Sequence, residues 1–90
     1  MKFYFTFPIN HPLGDFVQRV DAKDEVSARK GMGNYYGDKW SFCYPEGKRR
    51  AYETGEGRIV RIETLLKKTM IEAVIVVDEY SGDIYWSKLR

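Results

Sequence analysis

The residues of this 90-residue chain that could carry chemistry are few, beginning with a single histidine, His11, and a single cysteine, Cys43. A catalytic or metal-binding imidazole needs an orienting partner, a carboxylate or a second ligand. His11 instead stands in Asn10-His11-Pro12-Leu13-Gly14-Asp15, dense in turn residues, and reads as a loop residue that caps a turn. Cys43 would need a depressed pKa to act as a nucleophile, whereas its place in an alternating segment predicts a small, packed and inert thiol. One cysteine also rules out an internal disulfide and a Cys-based zinc site within one chain.

The acidic pairs Asp24-Glu25 and Asp78-Glu79 are adjacent in sequence, so their carboxylates point in different directions and cannot jointly hold one ion unaided. Helix capping accounts for the first pair and a strand end beside a turn for the second. Gly31-Met32-Gly33 and Gly55-Glu56-Gly57 resemble fragments of phosphate-cradling loops. Neither continues to the third glycine or the Lys-Ser/Thr that such loops require. The expectation is a protein that is not an enzyme, with no cofactor and no metal.

Binding remains. Between Lys48 and Lys68 seven basic residues (Lys48, Arg49, Arg50, Arg58, Arg61, Lys67, Lys68) face three acidic ones, against an overall net charge of only +2. So small a net charge implies no strong attraction to nucleic acid or membrane, and the local excess reads first as a solvated loop and strand face. Tyrosine and arginine dominate interface hot spots. The candidate partner-binding residues are therefore Tyr36, Lys48, Arg49, Arg50, Tyr52, Arg58, Arg61, Tyr80 and Tyr85. Lys39-Trp40-Ser41-Phe42-Cys43-Tyr44 also suggests an RNA-stacking strand, although Trp40, Phe42 and Tyr44 on one face fit better as core beneath a helix.

These residues need elements to position them. Phe3, Phe5 and Phe7 alternate with Tyr4 and Thr6, which predicts a first strand with three phenyl rings on one face. After the turn, Phe16, Val20 and Ala22 share one face of a second strand, with Val17, Arg19 and Asp21 on the other. Asp24 is a helix N-cap with Glu25 in the first turn, and Ala28, Met32 and Tyr35 recur on one helical face. Gly31 and Gly33 each cost about 1 kcal/mol relative to Ala inside a helix. They mark either a close approach to the sheet or an early fraying.

Lys39 to Tyr44 is the next strand, completing a βαβ unit with parallel strands. Residues 45–57 read as a long surface loop and 58–64 as a strand; 65–70 is either a helical turn or a hairpin connection. Glu72 to Glu79 carries apolar residues on both faces, as a central strand does, and a turn at Tyr80-Ser81-Gly82-Asp83 leads to a last strand, Ile84-Tyr85-Trp86. The fold class is α+β: a single mixed, mainly antiparallel β-sheet of five to six strands packed on one main helix, in the order β-β-α-β followed by a carboxy-terminal β-meander. Ninety residues make one domain, 1–90, and its 14 aromatic rings are expected to supply most of the core. The longest apolar run, Ala73 to Val77, is far short of a bilayer span, and the opening residues lack a signal-peptide pattern, so a cytoplasmic protein with no membrane partner is expected.

Phe3-Tyr4-Phe5-Thr6-Phe7, His11-Pro12-Leu13, Ala28-Arg29 and Gly37-Asp38-Lys39-Trp40-Ser41-Phe42-Cys43-Tyr44 together resemble a group of small proteins encoded by bacteriophages and prophage-like elements. The resemblance covers the first half of the chain and implies no reaction and no site residues. It implies an accessory protein in the host-cell cytoplasm that binds and modulates or inhibits a host macromolecule, most simply a host protein. An anti-defence role such as inhibition of a CRISPR system belongs to that class. The alternatives are a single-stranded nucleic-acid binder using the 48–68 basic segment, and a self-assembling structural component, such as a homodimer, using exposed strand edges.

Overall fold

The computed structural model describes residues 1–46 and 69–88 in full, together with the backbone pairing of 52–53 and 59–60. Elements follow in the order β1 (Lys2–Thr6), β2 (Phe16–Asp21), α1 (Glu25–Tyr36), β3 (Cys43–Pro45), β4 (Tyr52–Glu53), β5 (Ile59–Val60), β6 (Thr69–Met70), β7 (Ala73–Val77) and β8 (Ile84–Lys88). The main sheet runs β3-β1-β2-β7-β8, with β6 paired to β2 off that path. Among the described residues one helix packs on this mixed sheet, the expected α+β class. The parallel pairings of β2 with β6 and β7 are what make it mixed.

The amino-terminal half follows from its alternation. Phe3, Phe5 and Phe7 are buried on the helix side, while Tyr4 and Val17 form a second cluster with Tyr44 on the opposite side. Asp24 caps α1 as expected, its carboxylate accepting from the Ser27 N–H at 2.8 Å. Its carboxyl group is held below the usual range by that bond. Ala28 and Met32 are fully buried, and Tyr35 packs beside them.

The close-approach reading of Gly31 is the right one. A Cβ there would lie 2.9 Å from Val77 Cγ2 and 3.1 Å from Ile75 Cγ2, whereas one at Gly33 would meet nothing within 4 Å. The helix does not fray early but ends at Gly37, whose φ of 62° is open to glycine.

Several expectations need correction. The strand expected from Lys39 is only Cys43–Pro45, paired antiparallel to β1. Upstream, Thr6 N–H donates to Phe42 C=O (3.0 Å) and Ser41 N–H donates to Thr6 C=O (2.7 Å). Two residues thus oppose one, a bulge that shifts the alternation by a residue. Trp40 consequently packs with the helix-side cluster while Phe42 and Tyr44 join the other, so the three rings do not share a face. Strands β2 and β3 run parallel, as expected of a βαβ unit, but β1 lies between them.

In the carboxy-terminal half, as far as it is described, the main sheet takes up the β7–β8 hairpin and the short β6, and β4 pairs with β5 in a separate two-stranded ladder. Tyr52–Glu53 is therefore strand within a segment expected to be loop, and the expected 58–64 strand is represented by Ile59–Val60. Of the undecided 65–70 segment, Thr69–Met70 is a strand parallel to β2; the rest lies outside the described residues. Nor do rings dominate the core: five of the twelve buried apolar residues are aromatic among those described. Aliphatic residues from β2, α1 and β7 fill the remainder, and at Gly31 the helix comes so close to Val20, Ile75 and Val77 that a Cβ would be crowded.

Candidate functional site

Strand β8 is a sheet edge, and among the described residues no strand pairs with its outer side. The hairpin that presents it is locally fixed. Asp78 N–H donates to Asp83 C=O (2.9 Å), and Gly82 N–H donates to Asp78 C=O (2.8 Å). The Asp78 carboxylate accepts from the N–H groups of Tyr80 (2.8 Å) and Ser81 (3.0 Å), which hold its carboxyl below the usual range. Gly82, at φ 78°, closes the turn. Tyr80 is thereby set on a constrained turn with 92% of its surface exposed.

Strand alternation distributes the next two rings. Tyr85, opposite Val76, stands on the face away from the helix at 47% exposure, and Trp86, opposite Ile75, on the helix side at 41%. Trp86 rests on Tyr35, with ring centroids 4.4 Å apart, and meets Tyr36 edge-on at 6.4 Å. Phe7 continues the series, 5.0 Å from Tyr36 and 4.9 Å from His11. A connected row of rings thus runs from the His11 loop through the core to the exposed edge.

Tyr36 is not the exposed aromatic expected. It is half-buried, and its hydroxyl donates to Gln18 Oε1 at 3.0 Å; burial raises its pKa. Gln18 is fully buried and donates through Nε2 to the carbonyls of Ala73 (2.7 Å) and Arg19 (2.9 Å). Beside this pair lies an open cleft of about 490 Å³ lined by Leu13, Phe16, Tyr36, Met70, Ile71 and Ala73, with Thr69 and Glu72 at its polar side. Its walls suit an apolar group and assemble no acid–base pair.

His11 caps its turn as expected, its Nδ1 accepting the Leu13 N–H at 3.0 Å. Cys43 is packed with the helix-side core, and burial, reinforced by the Glu25 carboxylate, pushes its thiol up to about 12. Arg29 pairs with Glu25 at 3.6 Å and lies 5.3 Å over the Trp40 ring. On the other face Arg19 grips Asp21 through two hydrogen bonds of 2.7 and 2.8 Å. Among the described residues no group of three or more His, Cys, Asp or Glu is placed to hold a metal ion, and no helix is long and apolar enough to cross a membrane.

Of the expected binding residues, the structure brings Tyr80 and Tyr85 together on one hairpin. Lys48, Arg49, Arg50, Arg58 and Arg61 lie outside the described residues, as does the side chain of Tyr52, whose backbone is in β4. Sequence reasoning missed Trp86 as a surface residue and Gln18 as a buried one. The signal for Gln18 was its even-numbered place between Phe16 and Val20 on the inward face of β2. No protein-family model, curated protein or solved structure matches this chain.

Proposed function

We propose that the protein is a non-enzymatic binding protein of the phage accessory kind, which attaches to a host protein in the host cytoplasm and modulates or inhibits it. The observation that supports this reading is the concentration of Tyr80, Tyr85 and Trp86 on one rigid hairpin. Among the described residues the other exposed large apolar side chains, Met1, Ile9 and Val26, are scattered over the amino-terminal half. Amphipathic rings held in place by turn hydrogen bonds lose little entropy when they bind, the property that makes tyrosine and tryptophan interface anchors. The resemblance of the first half to phage-encoded proteins supplies the host context.

The test is affinity capture from bacterial lysate with the wild-type chain, Tyr80→Ala and Tyr85→Ala. A stoichiometric protein should be retained by the wild type, and at least one variant should retain it about tenfold less, with an unchanged urea midpoint, since a hot-spot ring contributes ~1–2 kcal/mol or more. Recovery of no stoichiometric protein, or equal recovery by both variants, overturns the proposal.

A further inference from the structure

We propose that two copies of this chain pair through the outer edges of β8, antiparallel about a two-fold axis at Trp86, joining their sheets into one. The inference does not rest on the hairpin's use as a host-binding surface; pairing would cover Trp86 and leave Tyr80 on the turn exposed. It begins with the direction of the backbone groups. Because Asp78 N–H points at Asp83, alternation turns the ladder groups of Tyr85 and Ser87 towards β7 and those of Ile84, Trp86 and Lys88 outwards. The Ile84 carbonyl confirms the parity: it accepts from the Tyr35 hydroxyl, not from β7, at a long 3.4 Å. The outer edge is therefore a row of donors and acceptors at strand spacing, which sheets otherwise cover or blunt.

The two edges of the main sheet are unlike. β3 is three residues long and ends in Pro45, so it offers a poor template for a further strand. β8 is five residues long, without proline and with a single charge, Lys88. A head-to-tail pairing of β8 with β3 of the next copy, which would run on into filaments, is disfavoured by that asymmetry; the closed pairing of β8 with itself is not.

Self-pairing also satisfies the side chains. Centred on Trp86, it sets each Trp86 beside the other, so that rings already tilted against Tyr35 gain a neighbour on their exposed side. Lys88 falls opposite Ile84 and not opposite the second Lys88, which avoids a like-charge pair. Tyr85 falls opposite Ser87. A net charge of +2 leaves little long-range repulsion between copies.

Sedimentation across a concentration series should give twice the mass of one chain. Lys88→Pro removes an outward N–H that the β7 ladder does not use, so it should weaken the dimer at least tenfold while leaving the circular dichroism intact. Tyr85→Cys mixed with Ser87→Cys should form an oxidised cross-link that neither forms alone. A wild type that is monomeric throughout, a Lys88→Pro chain that dimerises as well as the wild type, or cross-linking of either cysteine variant by itself would overturn the inference.

Discussion

At the scale of single residues, the one histidine and the one cysteine both make structural contacts. His11 spends its Nδ1 on a turn, and Cys43 sits where its thiolate is unwelcome: the core around Phe5 and Trp40 desolvates it and the Glu25 carboxylate repels it. Only the thiolate reacts with alkylating agents, and each unit of pKa is tenfold in its population. With the thiol raised from 9.0 to about 12, native Cys43 should react with iodoacetamide at pH 8 about a thousandfold more slowly than in urea. Equal rates in the two states would contradict its place in the core. Gln18 is the converse case, a polar side chain accepted in the interior because Tyr36 and two backbone carbonyls satisfy it.

At the scale of elements, the contact of α1 with the sheet rests on a missing side chain. Gly31 lets the helix approach Val20, Ile75 and Val77, three β-branched residues whose stiff rotamers leave little room to yield. Gly31→Ala should therefore lower stability by ~1–2 kcal/mol, overpacking outweighing the gain of about 1 kcal/mol in helix propensity. Gly33→Ala, with open space around its Cβ, should raise stability by ~0.5–1 kcal/mol. Urea denaturation of the pair decides it: two changes of the same sign would mean that the helix does not sit as described. The bulge opposite Thr6 is the other decision at this scale. By inserting one residue it sends Trp40 to the helix and leaves Phe42 with Tyr44, dispersing the aromatic row that suggested a stacking strand.

At the scale of the whole molecule, burial on both faces of the sheet gives the fold a pH limit. Tyr4, Tyr36 and Tyr44 have pKa values raised chiefly by burial, as does Cys43. A raised folded-state pKa means that the unfolded chain releases its proton first, so the associated stability is complete below the unfolded values and is lost as pH rises through the folded ones. The urea midpoint should fall from about pH 9 towards 12, and tyrosinate absorbance should show a late-titrating set that appears only with unfolding. A midpoint that is flat across that window would contradict the burial of these hydroxyls.

The sequence alone determined what depends on neighbours along the chain: the alternation of β1 and β2, the Asp24 cap and helical face of α1, the turn at Tyr80 to Asp83 and the α+β class. Each is a local preference in which residue type and spacing leave the backbone few choices. Only the tertiary structure decided which strands meet, since β1 lies between β2 and β3 and β2 runs parallel to β7 across more than fifty residues of chain. It also decided that a bulge would split Trp40 from Phe42, that Gln18 would be buried beneath Tyr36, and that β8 would be an edge. Those outcomes depend on pairing partners distant in sequence. The candidate site shares that division: Tyr80 and Tyr85 were legible as residues, but their union with Trp86 on an open strand edge belongs to the order of the sheet.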